Sequence, residues 1–480
     1  MNADRPPREL RTYRVWAQAH QLAGGVRDEA FPPLVQRLLR RPIHQCAESR
    51  VLVDGEVAFR AITAALEEAR EEVLLEMYIL RDDHVGEAVR DALMRAVQRG
   101  VRAYVLADAV GSLETRETFW DGLTQAGVTV RLFHRLRYWP FEALRRDHRK
   151  IIVIDRTIAF TGGMNIGEEY GSSIRRGRPR DAAITSPNET WRDAWRDTLV
   201  RLDGSVAREL AAVFAEGWDR AKGPPLPGLE YVSWSDTTTI APASDAEVHR
   251  TWSARAWSAQ ALRAVFERQM AKQLGARRDR RRGRRVRRGD SDPITAGSPA
   301  ALVLDSRPGR GQREVLAALA SLVGGARKRL WITTPYFAPP TRALQLLRAT
   351  ARRGVDVRLL VPGTKTDVAL ARHAAHGAYQ SLLDAGVRVF EYQRATLHSK
   401  TVVVDGYAGV IGSTNLDFRS FWLNAECNVL LFDARTAETL ENAFTADCAR
   451  SEEITVPLWQ RRSWRHRVGD WIARQLRWAL

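Results

Sequence analysis

Cysteine is scarce in this chain: Cys46, Cys427 and Cys448 are the three among 480 residues. Their spacing makes neither a disulfide framework nor a metal-ligand set, so they read as reduced, buried thiols in a reducing compartment. No run approaches the roughly 18 consecutive apolar residues of a membrane-spanning helix, and none is expected. The opening Met1-Asn-Ala-Asp-Arg-Pro-Pro-Arg-Glu lacks the apolar core of a secretory signal. Acidic residues are the minority charge, 57 Asp and Glu against 74 Lys and Arg, which leaves a formal +17. That balance points to an anionic partner, either nucleic acid or an acidic lipid surface. Global disorder is excluded, because 45% hydrophobic residues is ordinary for a globular protein of two or three domains.

Against this background one strand is written twice. Asp147-His148-Arg149-Lys150-Ile-Ile-Val-Ile-Asp155 is matched, 250 positions later, by Leu397-His398-Ser399-Lys400-Thr-Val-Val-Val-Asp405. Each copy leads into a second apolar run ending in small residues and Asn: Thr161-Gly162-Gly163-Met164-Asn165 and Ile411-Gly412-Ser413-Thr414-Asn415. Residues i and i+2 of a strand share a face, so His148 projects with Lys150 and His398 with Lys400. Asp155 and Asp405, at odd spacing from the His, fall off that face and onto a turn. Asp405-Gly406 is a two-residue hairpin signal, and Asp155-Arg156 takes the same place less ideally. Closing both hairpins this way sets His148 opposite Gly163 and His398 opposite Ser413. Small residues there leave room for a bulky ligand and offer backbone N–H groups to an anion. Two Lys supply positive charge to phosphate oxygens; one His can attack phosphorus while the other protonates the leaving oxygen. One copy alone reads as easily as a structural strand with a surface Lys; two copies with matched spacing do not.

The paired motifs resemble the phospholipase D superfamily, and their flanks narrow the resemblance to bacterial cardiolipin synthases. Those flanks are Glu76-Met-Tyr78-Ile-Leu-Arg81-Asp82-Asp83, Asp108-Ala-Val-Gly111-Ser112, Thr334-Pro335-Tyr336-Phe337 and Gly412-Ser-Thr-Asn415-Leu-Asp417-Phe-Arg419-Ser420-Phe-Trp-Leu-Asn424-Ala-Glu426. The resemblance runs from about Val51 to about Asp433, much of the middle excepted. It implies an enzyme without metal or cofactor, working through a phosphohistidine. His148, Lys150, Asp155, His398, Lys400 and Asp405 are the implied catalytic motif residues, and Asn165, Asn415, Gly163 and Ser413 the substrate-binding ones. It further implies that an acid at the start of a later strand holds an active-site His, Asp197 in the first half and Glu426 in the second. Such a carboxylate would fix the tautomer and stabilise the cation; the bland alternative is an ordinary strand-end acid. Family members with an N-terminal membrane anchor are matched less well than soluble or peripheral ones.

Strand–helix–strand alternation predicts an α/β fold of two duplicated phospholipase D-like domains. Each is expected to be a mainly parallel mixed sheet flanked by helices, packed pseudo-two-fold around one site. Domain 1 spans 46–222 and domain 2 spans 300–456. In the first, strands at 51–53, 73–79 and 101–106 alternate with helices at 58–71 and 85–99. In the second, strands at 302–304, 330–333, 355–361 and 387–392 alternate with helices at 312–323, 342–353 and 368–384. Glu76 shares a strand face with Tyr78; its carboxylate reaches the active-site Lys or hairpin, or merely caps a loop. Residues 1–45 form a basic arm or packing helix, with membrane contact the lesser option. Residues 171–188 read as a mobile loop near the site.

Between the domains, 223–299 is a linker with a helix at 252–274 and then Arg277–Arg288, nine Arg in twelve positions. Without that run (+9, less Asp279) the formal charge falls from +17 to +9, so both domains carry positive surface. The tract repels itself and is expected to be disordered in isolation, a solvated linker being the bland alternative. It would bind anionic headgroups, at ~1 kcal/mol per Arg, or nucleic acid. The tail, 457–480, reads as a cationic amphipathic helix for a bilayer interface or for docking on domain 2.

The expectation is a phosphatidyltransferase peripheral to the inner face of the cell membrane, taking anionic phospholipid. Two phosphatidylglycerols would give cardiolipin and glycerol. Family analogy leans to His148 as nucleophile and His398 as acid and base, a choice the near-symmetric motifs do not make. Hydrolysis, transfer from another donor or to another alcohol, and metal-independent cleavage of nucleic acid are the alternatives. A non-catalytic scaffold is disfavoured by two intact motifs. Both half-sites lie in one chain, so a monomer suffices.

Overall fold

Short Val-, Ile- and Leu-rich runs bounded by turns become strands, and amphipathic stretches stopped by Gly become the helices that cover them. The computed structural model describes residues 8–133, 145–171, 194–233, 284–286, 288–292, 298–307, 312–463 and 470. The first half supplies β1 (His44–Val53), β2 (Glu72–Met77), β3 (Arg102–Asp108), β4 (Thr129–Phe133), β5 (Ile151–Ile154), β6 (Ile158–Gly162) and β7 (Thr198–Gly204). A short pair follows, β8 (Tyr231–Ser233) with β9 (Arg284–Val286). The second half supplies β10 (Ala300–Ser306), β11 (Arg329–Thr333), β12 (Asp356–Pro362), β13 (Arg388–Tyr392), β14 (Thr401–Val404), β15 (Ala408–Gly412), β16 (Glu426–Phe432) and β17 (Ser451–Ile454).

Fifteen of these strands form one sheet, and from its centre outward each half repeats the same order. One side runs β1-β7-β6-β5-β2-β3-β4 and the other β10-β16-β15-β14-β11-β12-β13, with β17 on the far edge. The halves join where β1 meets β10 antiparallel, His44 opposite Ala301 and Gln45 opposite Ala300. The fold is α/β and duplicated, but the expected parallel majority is corrected. Parallel pairing is confined to β2–β3–β4 and β11–β12–β13. Helix crossovers impose it there, whereas the motif strands return through hairpins, which are antiparallel by construction.

One outer apolar layer lies under the helices of each half, and a third layer is shared. The shared layer combines Leu74, Val153 and Val200 with Val303, Val403 and Val429. Helix Ser205–Arg220 runs through it with Val213, Phe214 and Trp218 fully buried. A common core of this kind holds the half-sites in register.

Two basic segments are ordered. From Arg8 onward the packing-helix alternative describes the chain: helices Arg8–Gln21 and Phe31–Leu39 pack on Gln312–Gly325, burying Phe31, Val35 and Leu39 in the second half's core. Gly324 permits that approach, since a Cβ there would sit 2.3 Å from the Trp16 carbonyl oxygen. The end of the Arg tract is ordered too. Val286 is buried, and Arg288 pairs with Asp305 at 2.8 Å and with Glu209, in a cluster that also takes Arg41. Buried carboxylates there outweigh the repulsion between neighbouring guanidiniums. The remainder of the tract to Gly283, the 252–274 helix, residues 172–188 of the loop and the tail beyond Ser463 except Asp470 lie outside the described residues. Among the described residues no helix is long and apolar enough to cross a membrane.

Candidate active site

Both hairpins turn on two consecutive left-handed residues, Asp155 and Arg156 (φ 51° and 52°) and Asp405 and Gly406 (φ 51° and 62°). The turns close with Thr157 N–H donating to Ile154 O and Tyr407 N–H to Val404 O, both at 3.1 Å. The next ladder pairs are Ile154 opposite Ile158 and Val404 opposite Ala408, so each hairpin holds one residue more than expected. That residue shifts the register by one. Gly412 N–H donates to Lys400 O at 3.3 Å, and Ser413 is not opposite His398.

What Gly163 and Ser413 do is also different from expectation. A Cβ on Gly163 would meet Asp197 Oδ1 at 2.3 Å, so the space beside it is filled by a carboxylate. Its N–H donates to Thr198 O, and that of Ser413 to Cys427 O, which leaves neither for an anion. Ser413 Oγ donates to Glu426 Oε2.

The two halves meet by exchanging acids. His148 of the first half has Nδ1 3.0 Å from Glu426 Oε2 of the second. His398 of the second has Nδ1 2.7 Å from Asp197 Oδ2 of the first. Backbone bonds repeat the exchange: His148 N–H donates to Ala425 O at 2.9 Å and His398 N–H to Arg196 O at 2.8 Å. Asn424 Nδ2 supports Glu426 at 3.3 Å, and Tyr170 OH lies 3.3 Å from His398 Nδ1. Nδ1 of each ring is committed to a carboxylate, which leaves Nε2 as the nitrogen without one. His148 Nε2 has no hydrogen-bond partner among the described residues.

Charge is concentrated here away from the surface. Lys150 and Lys400 are 1% and 4% exposed, and burial pushes them down to about 7 and about 8. Lys150 donates to His148 O at 2.6 Å and stands 5.1 Å from the Tyr78 ring centre, which also packs at 4.8 Å on His148. Lys400 Nζ lies 2.8 Å from His398 Nδ1 and 3.2 Å from Nε2. The chain has six Lys among 74 basic residues, and two of the six are these. Arg cannot release its proton near neutrality, whereas a buried Lys can. Burial, then the charges of Lys150, Lys400, His398 and Arg419, hold His148 well below the ordinary imidazole range. His398 is lowered by burial and Lys400, with Asp197 and Asp367 opposing. Burial raises Glu426 to about 7, against the pull of Lys150.

The remaining expected residues divide. Asp155 accepts from the N–H groups of Arg70, Glu71 and Glu72, and Asp405 from those of Arg327, Lys328 and Arg329, all at 2.8–2.9 Å. Both stand at the far end of the motif strand from the His, so the structure does not bring them to the site despite their place in the motif. Asn165 accepts from Ile79 N–H at 3.2 Å and donates to Tyr170 OH at 2.8 Å; Asn415 is buried, its Oδ1 without a partner among the described residues. Glu76 reaches the hairpin rather than a Lys, pairing with Arg149 at 2.8 Å beside Asp147. Tyr170, Trp195 (5.2 Å from the His398 ring) and Asp367 were not singled out from the sequence. Tyr170 falls five residues after Asn165, where the second copy has Ser420, so asymmetry between the repeats was the available signal.

A family model described as "Cardiolipin synthase, PLD-like domain" matches residues 62–173 and 319–448. Cardiolipin synthase of Halalkalibacterium halodurans is 30% identical over 445 residues, 92% of this chain and 74% of that protein. The chain belongs to the cardiolipin synthase family. It is accordingly a phosphatidyltransferase of the phospholipase D superfamily. The Geobacillus sp. (strain WCH70) cardiolipin synthase is 31% identical, covering 96% of this chain and 78% of that one. The crystal structure of phosphatidylserine synthase from Haemophilus influenzae Rd KW20 covers 94% of this chain and 100% of that one, with TM-score 0.62 and 14% identity. At that identity it bears on the fold alone.

Proposed function

We propose that this chain joins two phosphatidylglycerols into cardiolipin and glycerol through a phosphohistidine on His148. The crossed acid–imidazole exchange supports the reading, because it ties the two imidazoles, each with a buried Lys beside it, into one site suited to flank a phosphodiester. Its asymmetry supports the choice of nucleophile. Burial and the charges of Lys150, Lys400, His398 and Arg419 disfavour a proton on His148, so its Nε2 lone pair is available to phosphorus. His398, with Asp197 on Nδ1 and Asp367 nearby, keeps a proton more readily and suits the acid.

His148 Nε2 bonds phosphorus as the P–O bond to glycerol breaks, and the glycerol oxygen takes the proton of His398 Nε2. Glycerol leaves. His398, now neutral, removes the hydroxyl proton of a second phosphatidylglycerol, whose oxygen attacks phosphorus and breaks the P–N bond. Lys150 and Lys400 hold the non-bridging oxygens as their charge grows, and the buried amides of Asn165 and Asn415 are assigned to the same charge. The lipid substrate brings the chain to a bilayer surface, the inner face of the cell membrane, and one chain suffices. Purified protein with phosphatidylglycerol vesicles should yield cardiolipin and glycerol by mass spectrometry, equally with EDTA. Phosphatidic acid as the sole product would replace the transferase reading with a hydrolase.

A further inference from the structure

Apart from the paired histidines, three ligating side chains converge on one point. Helix Ala369–Leu383 presents His373 and His376 one turn apart, and Asp470 comes to them from beyond the last strand. Asp470 Oδ1 lies 3.0 Å from His373 Nδ1 and 2.9 Å from His376 Nδ1, and all three ligand atoms lie within 4.8 Å of one another. The far side of His376 is held as metal-bound imidazoles are held, by a carboxylate on the other nitrogen. Its Nε2 is 3.0 Å from Glu391 Oε1, which also accepts from Tyr379 OH at 3.1 Å, while Arg372 donates to Glu391 Oε2 at 2.7 Å. Nδ1 of His376 faces Asp470 Oδ1 and Nε2 faces Glu391 Oε1, so without metal the ring donates from both nitrogens, and a metal ion would take the place of the Nδ1 proton between two ligand atoms already converged. Arg462 Nε pairs with Asp470 Oδ2 at 3.3 Å, which leaves Oδ1 as the ligating oxygen.

We propose that His373, His376 and Asp470 bind a borderline divalent transition metal, of which Zn²⁺ is the type, and that it fastens the end of the chain to this helix. Two imidazole nitrogens and one carboxylate oxygen suit Zn²⁺, whereas Mg²⁺ and Ca²⁺ take oxygen donors. His376 and Asp470 are buried, and His373, 33% exposed, gives access and room for water as fourth ligand. The site takes no part in phosphoryl transfer. It lies roughly two helical turns along the chain from Asp367, whose charge acts on His398.

Untagged full-length protein, stripped with chelator and equilibrated with Zn²⁺, should hold one equivalent by elemental mass spectrometry after gel filtration. His373→Ala and Asp470→Asn should each weaken binding by at least about 10-fold, and His148→Asn should leave it unchanged. Replacing buried His376 also strips Glu391 of a partner, so partly exposed His373, with the near-isosteric change at buried Asp470, carries the test. Co²⁺ in place of Zn²⁺ should give visible ligand-field bands that both variants lose. Zn²⁺ should slow tryptic cleavage between Arg461 and Arg474 in the parent protein and not in the variants. No stoichiometric metal, binding indifferent to both variants, or equal protection in EDTA would each overturn the site. Cardiolipin formation in EDTA is read separately, so either proposal can fail alone.

Discussion

The two half-sites share a backbone plan and differ in what surrounds the imidazole. His148 sits against Tyr78 with Lys150 over the same ring, and the neighbouring charge is cationic. His398 sits between Tyr170 and Trp195, with Asp197 and Asp367 supplying negative charge. Four residues after the shared Asn the copies carry opposite charges, Glu169 in one and Arg419 in the other. Even the central motif residue diverges: Arg149 is locked to Glu76 and Asp147, while Ser399 donates to Thr198 Oγ1 at 2.9 Å. Duplication therefore supplies the frame, and divergence of a few neighbours supplies two different imidazoles.

The comparison breaks most sharply at the histidines. His148→Ala should abolish both cardiolipin formation and the covalent adduct. His398→Ala should cost about 10²–10⁴ in rate with phosphatidylglycerol, yet still label His148 from a phosphodiester whose leaving group needs no proton, read by intact-protein mass spectrometry. Equal behaviour of the two variants would mean the halves are interchangeable. Next come the exchanged acids: Glu426→Gln and Asp197→Asn should each lower kcat by about 10²–10⁴ with little change in KM. Combining Asp197→Asn with His398→Ala should add nothing further, whereas full additivity would show that the acid does not act through that imidazole.

A smaller effect is the pH profile. Glu426, raised to about 7, is ionised above that pH, so activity should climb as pH rises to about 7. Lys150 and Lys400, lowered to about 7 and about 8, lose charge above those values, so kcat/KM should begin to fall above about 7 and fall more steeply beyond about 8. Bound phosphate favours the ammonium, so the alkaline fall in kcat should lie higher than in kcat/KM. Lys400→Arg should flatten it while slowing the reaction. The smallest effect on chemistry belongs to Asp155→Asn and Asp405→Asn. Each carboxylate takes three backbone N–H groups, so thermal unfolding should show a loss of about 1–3 kcal/mol, with near-normal kcat in the folded fraction. A collapse of kcat at full stability would return both residues to the catalytic set.

Much of this was legible in the chain. Alternation put His and Lys on one strand face, and Asp-Gly marked the left-handed pair at the second turn. The one-residue register shift was not, because turn chemistry names left-handed residues without saying whether the ladder closes directly behind them. Gly163 was read as space for ligand; that its neighbour is Asp197, 34 positions on, is a tertiary fact. Arg288 looked like part of a free polycation because its carboxylate partners, Glu209 and Asp305, are distant in sequence.

By itself the sequence determined which residues face together over two to four positions and that the unit occurs twice, since strand geometry is local and periodic. Which acid serves which histidine was decided only where β1 meets β10 and the halves fold onto one core. That junction brings residue 426 to 148 and 197 to 398, contacts of 278 and 201 positions that no local period can encode.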